Sequence, residues 1–217
     1  FCLDRAGLVG EDGETHHGVF DLAYLRCIPN IIIFAPSNEI ELRNILYTAQ
    51  LGLENPIAIR YPRGFGDIID WQQPFKKIEI GKGVCLKEGK KVAVLSVGTM
   101  VKNVMDAFSL MKNATNFSHY DMRFIKPLDE ILLHKIFKNH QQIITIEDGV
   151  IKGGFGSAIL EFASENKYKN NISVLGIPDT FITHGKVAKL QQKIELDAES
   201  LAVYFSKFNT ICGSISV

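Results

Sequence analysis

Side chains that could do chemistry are concentrated near the start of the chain, in the segment 4–18, which reads DRAGLVGEDGETHHG. An arginine, four acids and two adjacent histidines stand there among four glycines. Such groups bind anions and transfer protons. The segment has neither the alternating apolar pattern of a strand nor the 3.6-residue pattern of a helix. We therefore predict a loop, and because apolar runs flank it, a loop on a rigid scaffold, where binding sites commonly lie.

Two arginines follow predicted strands: Arg5 comes after the apolar run 1–3, and Arg63 comes after the run 57–59. Open α/β sheets bind ligands at the carboxyl ends of their strands. Two guanidinium groups at neighbouring strand ends could hold a phosphate through bidentate hydrogen bonds, a geometry that lysine does not supply. The alternative is that each arginine forms an ordinary surface ion pair.

The loop holds three further candidates. Asp12 is either an acid that orients a hydroxyl or a turn former of the Asp-Gly kind. His16 and His17 have no third ligand at useful spacing, so the sequence predicts no metal site. A role in hydrogen bonding or proton transfer near neutral pH fits them better, and the alternative is one solvated and one structural histidine.

The elements that must position these residues alternate along the chain. Predicted strands lie at 31–35, 57–59, 92–97, 119–122, 143–146 and 173–177, and predicted helices at 19–27, 37–50, 101–112, 126–138, 157–166, 185–193 and 197–208. Ser37 is the predicted N-cap of the second helix. Glu147 and Asp148 are predicted to follow the strand 143–146 and to serve a site or a subunit contact.

Alternating strands and helices predict an α/β fold with mostly parallel sheets covered on both faces. Residues 71–82, where Gln, Pro and Lys accumulate around Trp71, are the predicted linker between a first unit at 1–70 and a second at 83–217. The chain opens with Phe-Cys-Leu, without methionine, in what reads as a buried strand. We therefore expect a truncated first unit and a chain that is the C-terminal part of a longer polypeptide.

The composition of the chain argues against several kinds of partner and location. Lys plus Arg equals Asp plus Glu at 24 each, which argues against non-specific nucleic-acid binding because that needs a basic surplus. No apolar stretch is long enough to span a bilayer, and no signal peptide is visible. The four cysteines show no metal-binding spacing and are expected to be reduced, buried thiols in a cytoplasmic protein.

Several motifs together resemble a known family. They are DRAG at 4–7, the pattern GxDGxTHxG at 10–18, YLRxIP at 24–29, APS at 35–37, RYPRG at 60–64, DMRFxKPLD at 121–129 and GxPD at 176–179. In this order they are similar to the 1-deoxy-D-xylulose-5-phosphate synthase family of transketolase-like enzymes. The DxGxTH element alone also admits transketolase or the β subunit of ketoacid dehydrogenases.

The resemblance implies a pyrimidine-binding-type domain followed by a transketolase C-terminal-type domain. It implies a thiamine-diphosphate enzyme that condenses pyruvate with D-glyceraldehyde 3-phosphate, releases carbon dioxide and serves isoprenoid, thiamine and pyridoxal synthesis. Carried over by position, Arg5 and Arg63 would hold the substrate phosphate, Asp12 a substrate hydroxyl, and His16 would assist catalysis. The C-terminal domain would be mainly structural and would contribute to a homodimer.

The resemblance also shows what this chain lacks. The family's cofactor glutamate and its Gly-Asp-Gly motif for magnesium and diphosphate have no match here. We therefore expect no cofactor-binding and no metal-binding residue in the chain, and no activity from the chain alone. Two other hypotheses stay open at this point: a β subunit of a thiamine-dependent ketoacid dehydrogenase, and a non-catalytic module that binds a phosphorylated metabolite.

Overall fold

The chain alternates between strands and helices, as the sequence predicts for an α/β fold. We describe a computed structural model that covers residues 1–66 and 68–211. The strands are β1 (Cys2–Leu3), β2 (Ile32–Phe34), β3 (Ile57–Arg60), β4 (Val84–Lys87), β5 (Val92–Ser96), β6 (Phe117–Asp121), β7 (Phe124–Lys126), β8 (Gln142–Val150) and β9 (Asn171–Ile177). The helices are α1 (Asp21–Arg26), α2 (Glu39–Gln50), α3 (Met100–Leu110), α4 (Glu130–Asn139), α5 (Phe155–Glu165), α6 (Val187–Lys193) and α7 (Ala198–Ile211).

The first sheet has the strand order β1-β3-β2-β7. Its β1, β3 and β2 are parallel, with Cys2 beside Ile59 and Ile32 beside Ile57. β2 and β3 are continuous buried runs, the pattern of parallel strands that are covered on both faces. The order places the ends of β1 and β3 side by side, so the residues that follow these strands leave the same edge of the sheet.

The second sheet has the order β4-β6-β5-β8-β9, with β4 antiparallel at one edge and the other strands parallel. β7 comes directly after β6 in the chain, yet it pairs antiparallel with β2 of the first sheet, where Phe124 lies beside Phe34. The chain beyond the predicted linker thus adds a strand to the first sheet. The division at 71–82 stays a prediction; residues 71–79 form no helix or strand, and Ile78 packs in the same apolar cluster as Phe124.

Both sheets share one hydrophobic cluster. Leu22 of α1 and Ile33 of β2 pack there with Leu95 of β5, Ile143 of β8 and Phe155 of α5. Each is fully removed from water, and burial of a side chain of this size stabilises a fold by about 1.5–3 kcal/mol. The two sheets therefore pack on a common core, and polar groups that enter this region must find partners in it.

The helices α2 and α4 begin later than the sequence indicates. The N-cap of α2 is Asn38, whose side-chain oxygen accepts the N–H of Glu41 at 3.0 Å, so the prediction of Ser37 was wrong. α4 begins after Asp129, whose carboxylate accepts the N–H of Leu132 at 3.0 Å. Both caps satisfy backbone donors that a helix leaves free in its first turn.

β8 is longer than predicted and runs to Val150. Glu147 and Asp148 therefore lie inside a buried strand and not beyond its end. The usual rule that charged residues end a buried strand fails here because both carboxylates have partners, which are described below.

The prediction of buried thiols was wrong for three cysteines. Cys2, Cys27 and Cys85 are free and exposed. Cys2 and Cys85 lie on β1 and β4, which are edge strands, so one side of each faces solvent. Cys212 lies outside the described residues.

Candidate functional site

The polar segment 4–18 is a loop, as predicted, and hydrogen bonds close it at its base. Gly7 N–H donates to the carbonyl of Gly18 at 2.9 Å, and Gly18 N–H donates to the carbonyl of Arg5 at 2.9 Å. Arg5 has a φ of 69°, which is rare for a residue with a side chain. The turn at Gly10–Asp12 is a short 3₁₀ helix, and Gly185, just before α6, donates its N–H to the Gly10 carbonyl.

Three of the predicted site residues meet at this loop. Arg63 Nη1 donates to Asp12 Oδ2, and Arg5 Nε lies 3.7 Å from the same oxygen. The hydrogen bond from Arg63 is the main reason why the pKa of Asp12 lies below its usual value. The structure therefore brings the arginines after β1 and β3 onto one carboxylate, and we call these three residues the arginine–aspartate cluster.

The two histidines have different environments. His16 is exposed, and its Nδ1 lies 3.0 Å from Thr15 Oγ1. His17 is buried, and its Nδ1 accepts the N–H of Val9 at 3.0 Å, so it supports the loop from within. His16 is close enough to Asp12 to contribute to the lowering of its pKa. The roles predicted for His16 and the cluster in binding and catalysis stay predictions.

A second polar cluster lies beneath the loop, and sequence reasoning missed it. The Arg60 side chain, at the end of β3, is fully buried. Its Nε donates to both carboxylate oxygens of Asp21 at 2.8 Å, its Nη1 donates to Asp148 Oδ1, and its Nη2 donates to the Gly18 carbonyl at 2.7 Å. The available signal was a charged residue at the end of an apolar strand, in the run IAIR.

Electrostatics keep Arg60 charged. Burial is the largest influence and disfavours its charge, but the carboxylates of Asp148 and Asp21 outweigh burial and raise the pKa of Arg60 above its usual range. Asp148 is also held by the hydroxyl of Thr99, which donates to its Oδ2 at 2.9 Å. This group, Arg60 with Asp21 and Asp148, is named the buried ion cluster below.

Glu147 lies next to the buried ion cluster but has other partners. Its carboxylate accepts the backbone N–H groups of Phe155 and Gly156, each at 2.8 Å, at the start of α5. Burial raises its pKa to about 7 in spite of these bonds. The Glu147 carboxyl group thus lies at a helix N-terminus, where backbone donors and the helix dipole favour its ionised form and offset part of the effect of burial.

No group of three His, Cys, Asp or Glu side chains that could hold a metal ion occurs among residues 1–66 and 68–211. Within the same ranges, none of the helices is both long enough and apolar enough to cross a bilayer.

Comparison with known protein families shows which family the chain belongs to. The family described as "Transketolase, pyrimidine binding domain" matches residues 1–66, and "Transketolase, C-terminal domain" matches residues 81–201. The chain belongs to the transketolase family. The fold class predicted from the motifs, a pyrimidine-binding-type domain followed by a transketolase C-terminal-type domain, is confirmed.

Individual relatives narrow the resemblance within the family. The chain is 52% identical over 209 residues to the 1-deoxy-D-xylulose-5-phosphate synthase of Parabacteroides distasonis, a match that covers 96% of this chain and 33% of the relative. It is 46% identical over 201 residues to the synthase of the same name from Vibrio vulnificus, which covers 93% of this chain and 32% of the relative. The chain therefore spans about a third of the length of these relatives.

Solved structures give the same architecture. One described as "Split gene transketolase, inactive beta4 tetramer" aligns with a TM-score of 0.79 and 28% identity, over 95% of this chain and 64% of that chain. The transketolase of Campylobacter jejuni aligns with a TM-score of 0.71 over 95% of this chain and 31% of its own; at 20% identity it shows the shared fold alone.

Proposed function

We propose that this chain is the acceptor-binding, C-terminal part of a thiamine-diphosphate-dependent synthase. The reaction joins pyruvate to D-glyceraldehyde 3-phosphate, with loss of carbon dioxide, and gives 1-deoxy-D-xylulose 5-phosphate for isoprenoid, thiamine and pyridoxal synthesis. The observation that carries the proposal is the arginine–aspartate cluster at the edge where β1 and β3 end. About 50% identity to proteins named for this synthase supports the choice of substrates.

The arginines Arg5 and Arg63 would hold the phosphate of the acceptor. Both guanidinium groups are partly exposed and lie against Asp12, and Arg5 also pairs with the carboxylate of Asp4, so an incoming dianion competes with Asp12 for both cations and with Asp4 for Arg5. Phosphate offers more oxygens and more charge than a carboxylate, and guanidinium groups bind it bidentately. Once displaced from Arg63, the Asp12 carboxylate is free to accept a hydrogen bond from a substrate hydroxyl.

His16 would act beside the reacting carbon atoms. Its Nδ1 contacts Thr15 Oγ1, which leaves Nε2 to hold or move a proton at the carbonyl oxygen of the acceptor. Imidazole suits this task because its pKa is ordinarily close to neutral pH.

Bound thiamine diphosphate would supply the carbanion chemistry of the reaction. Two carboxylates that could serve the cofactor or its metal are already engaged, since Glu147 accepts backbone N–H groups and Asp148 binds Arg60. We therefore place the ligands of the cofactor and of Mg²⁺ outside this chain, in the rest of a homodimeric cytoplasmic enzyme.

It follows that the chain alone has no synthase activity. The solved structure described as an inactive tetramer of a split-gene transketolase supports this, since this chain aligns with 64% of it. Formation of 1-deoxy-D-xylulose 5-phosphate from pyruvate, glyceraldehyde 3-phosphate, thiamine diphosphate and Mg²⁺ by the isolated 217 residues would contradict the proposal.

The phosphate assignment is tested in the whole enzyme with Arg5→Ala and Arg63→Ala. Each should lower kcat/KM for glyceraldehyde 3-phosphate by roughly 10- to 100-fold, the loss of charge-assisted hydrogen bonds, and leave the KM for pyruvate near its wild-type value. Arg26→Ala is the matched control, because Arg26 pairs with Glu161 on α5 and not with Asp12. Wild-type kinetics for glyceraldehyde 3-phosphate in both variants would refute the assignment.

A further inference from the structure

The buried ion cluster joins four segments of the chain on one guanidinium group. Arg60 of β3 binds Asp21 of α1, Asp148 of β8 and the carbonyl of Gly18 in the loop. The Arg60 side chain has no solvent exposure, and those of Asp21 and Asp148 have 9% and 6%. Hydrogen bonds of this kind, between desolvated charges, are costly to break because no water replaces the lost partner.

The cluster is directly connected to the base of the loop. The Gly18 carbonyl that accepts from Arg60 also accepts the N–H of Gly7, and the N–H of Gly18 donates to the carbonyl of Arg5. A Cβ at Gly18 would lie 2.1 Å from that carbonyl oxygen, so the two backbones touch. Gly18 therefore connects the Arg60 side chain to the backbone of Arg5 through two hydrogen bonds.

Arg5 needs such support. Its φ of 69° places a residue with a long side chain in the left-handed region, which is strained and persists only where neighbours fix it. This conformation, together with the bond from Gly18, directs Arg5 Nε to within 3.7 Å of Asp12 Oδ2. A loosened Gly18 would let Arg5 relax to an ordinary conformation and leave the arginine–aspartate cluster.

The second sheet also contacts the base of the loop. Asp148 of β8 lies so close to Gly7 that a Cβ there would be 2.9 Å from its Oδ2, the oxygen that accepts the Thr99 hydroxyl. The base of the loop thus contacts Arg60 of the first sheet at Gly18 and Asp148 of the second sheet at Gly7. A substitution of Arg60 or Asp148 would therefore displace Arg5, although neither residue would touch a bound acceptor.

We propose that Arg60 is a positioning residue for the phosphate-binding arginine Arg5, with Asp148 as its partner across the sheet boundary. The inference rests on the proposed function, because it concerns how the acceptor phosphate is held. Lysine does not replace Arg60, since one ammonium group has no planar fork with which to reach Asp21, Asp148 and the Gly18 carbonyl together. The role is selective: it affects acceptors that carry a phosphate more than acceptors without one.

The test compares two acceptors in the whole enzyme, D-glyceraldehyde 3-phosphate and unphosphorylated D-glyceraldehyde, at saturating pyruvate. For Arg60→Lys, the ratio of kcat/KM for the phosphorylated acceptor to that for the unphosphorylated acceptor should fall about tenfold, the effect of one lost charge-assisted hydrogen bond at Arg5. The matched control is Arg123→Lys, the same exchange at an arginine that pairs with Glu41 on α2; it should keep the wild-type ratio.

Each outcome has one meaning. A fall of the ratio in Arg60→Lys supports the inference, whereas equal losses for both acceptors, or no loss, overturn it in favour of a purely structural role. If Arg60→Lys yields no folded protein, Thr99→Val takes its place, since it removes one bond to Asp148 and keeps the shape; a ratio lowered about threefold supports the inference and a wild-type ratio overturns it.

The test also separates this inference from the proposed function. If Arg5→Ala and Arg63→Ala keep the wild-type preference for the phosphorylated acceptor, the phosphate assignment itself is wrong, and the inference on Arg60 is overturned with it. If those two variants lose the preference and Arg60→Lys keeps it, only the positioning role of Arg60 is overturned.

Discussion

Glu147 should make the stability of this chain depend on pH in the neutral range. Its carboxyl group is fully buried in β8, accepts the N–H groups of Phe155 and Gly156, and lies near Arg60 and Asp148. Burial disfavours its ionised form and raises its pKa from 4.5 to about 7. The folded chain therefore keeps this proton at pH values where the unfolded chain has already released it.

The sign and size of the effect follow from linkage. Between pH 4.5 and about 7 the folded state binds more protons than the unfolded state, so the free energy of unfolding falls as pH rises. One pKa unit corresponds to 1.36 kcal/mol. Ionisation of Glu147 should therefore lower the free energy of unfolding by about 2.5 kcal/mol between pH 5 and pH 8. Glu147→Gln removes the titration and keeps an oxygen that can accept one of the two N–H bonds.

The assay is urea unfolding of the wild type and Glu147→Gln at several pH values from 5 to 8. The difference in unfolding free energy between the two proteins should shift by about 2.5 kcal/mol in favour of the variant over this range. Glu165→Gln, the same exchange at an exposed position of α5, should give a constant difference. A constant difference for Glu147→Gln as well would refute the reasoning.

Three further predictions concern the stability of the same chain. His119 is buried against Ser96, and burial lowers its pKa to about 4. The free energy of unfolding of the wild type should therefore fall by up to about 3 kcal/mol between pH 6.5 and pH 4. His119→Gln should lose less over the same range, as measured by urea unfolding. Asp129→Ala removes the N-cap of α4 and a bond from Gly83 N–H, and should cost about 1–2 kcal/mol in chemical denaturation at pH 7. Gly18→Ala places a Cβ 2.1 Å from a carbonyl oxygen and should lower the melting temperature by several degrees, roughly the effect of 2–3 kcal/mol.

Specific results would contradict these three predictions. If the free energy of unfolding falls equally with pH in wild type and in His119→Gln, the protonation of His119 is not coupled to unfolding. Asp106→Ala is the control for Asp129, because Asp106 is an exposed acid paired with Lys102 within α3; an equal loss in both variants would exclude a capping effect. A wild-type melting temperature for Gly18→Ala would mean that the base of the loop is not closed as described.

The class of fold could be predicted because buried parallel strands leave a strong signal. The run 31–35 is apolar throughout and became β2, and the helices that follow show their amphipathic period. β7 could not be found in this way. Its three residues include Lys126, carry no alternating pattern, and are held by pairing with β2, about 90 residues earlier in the chain.

The loop site was partly predictable for the same reason. Arg5 and Arg63 follow strands that are neighbours in the sheet, so strand prediction alone brings them to one edge. The contact with Asp12 depends on the positive φ angles of Arg5 and Gly7, and for Arg5 no local sequence signal announces that conformation. The buried ion cluster was out of reach because its members, Asp21, Arg60 and Asp148, are brought together only by packing of the two sheets.

The exposure of the two polar clusters explains why they should behave differently. Arg63 and Asp12 have side chains that are 52% and 27% exposed, and an ion pair in such a position contributes only about 0–1 kcal/mol, so a phosphate can replace the carboxylate at little cost. The side chains of Arg60 and Asp148 are 0% and 6% exposed, and removing Arg60 would leave the buried carboxylates of Asp21 and Asp148 without a cation. The exposed cluster is therefore suited to exchange partners during binding, and the buried one to hold the loop in place while that exchange occurs.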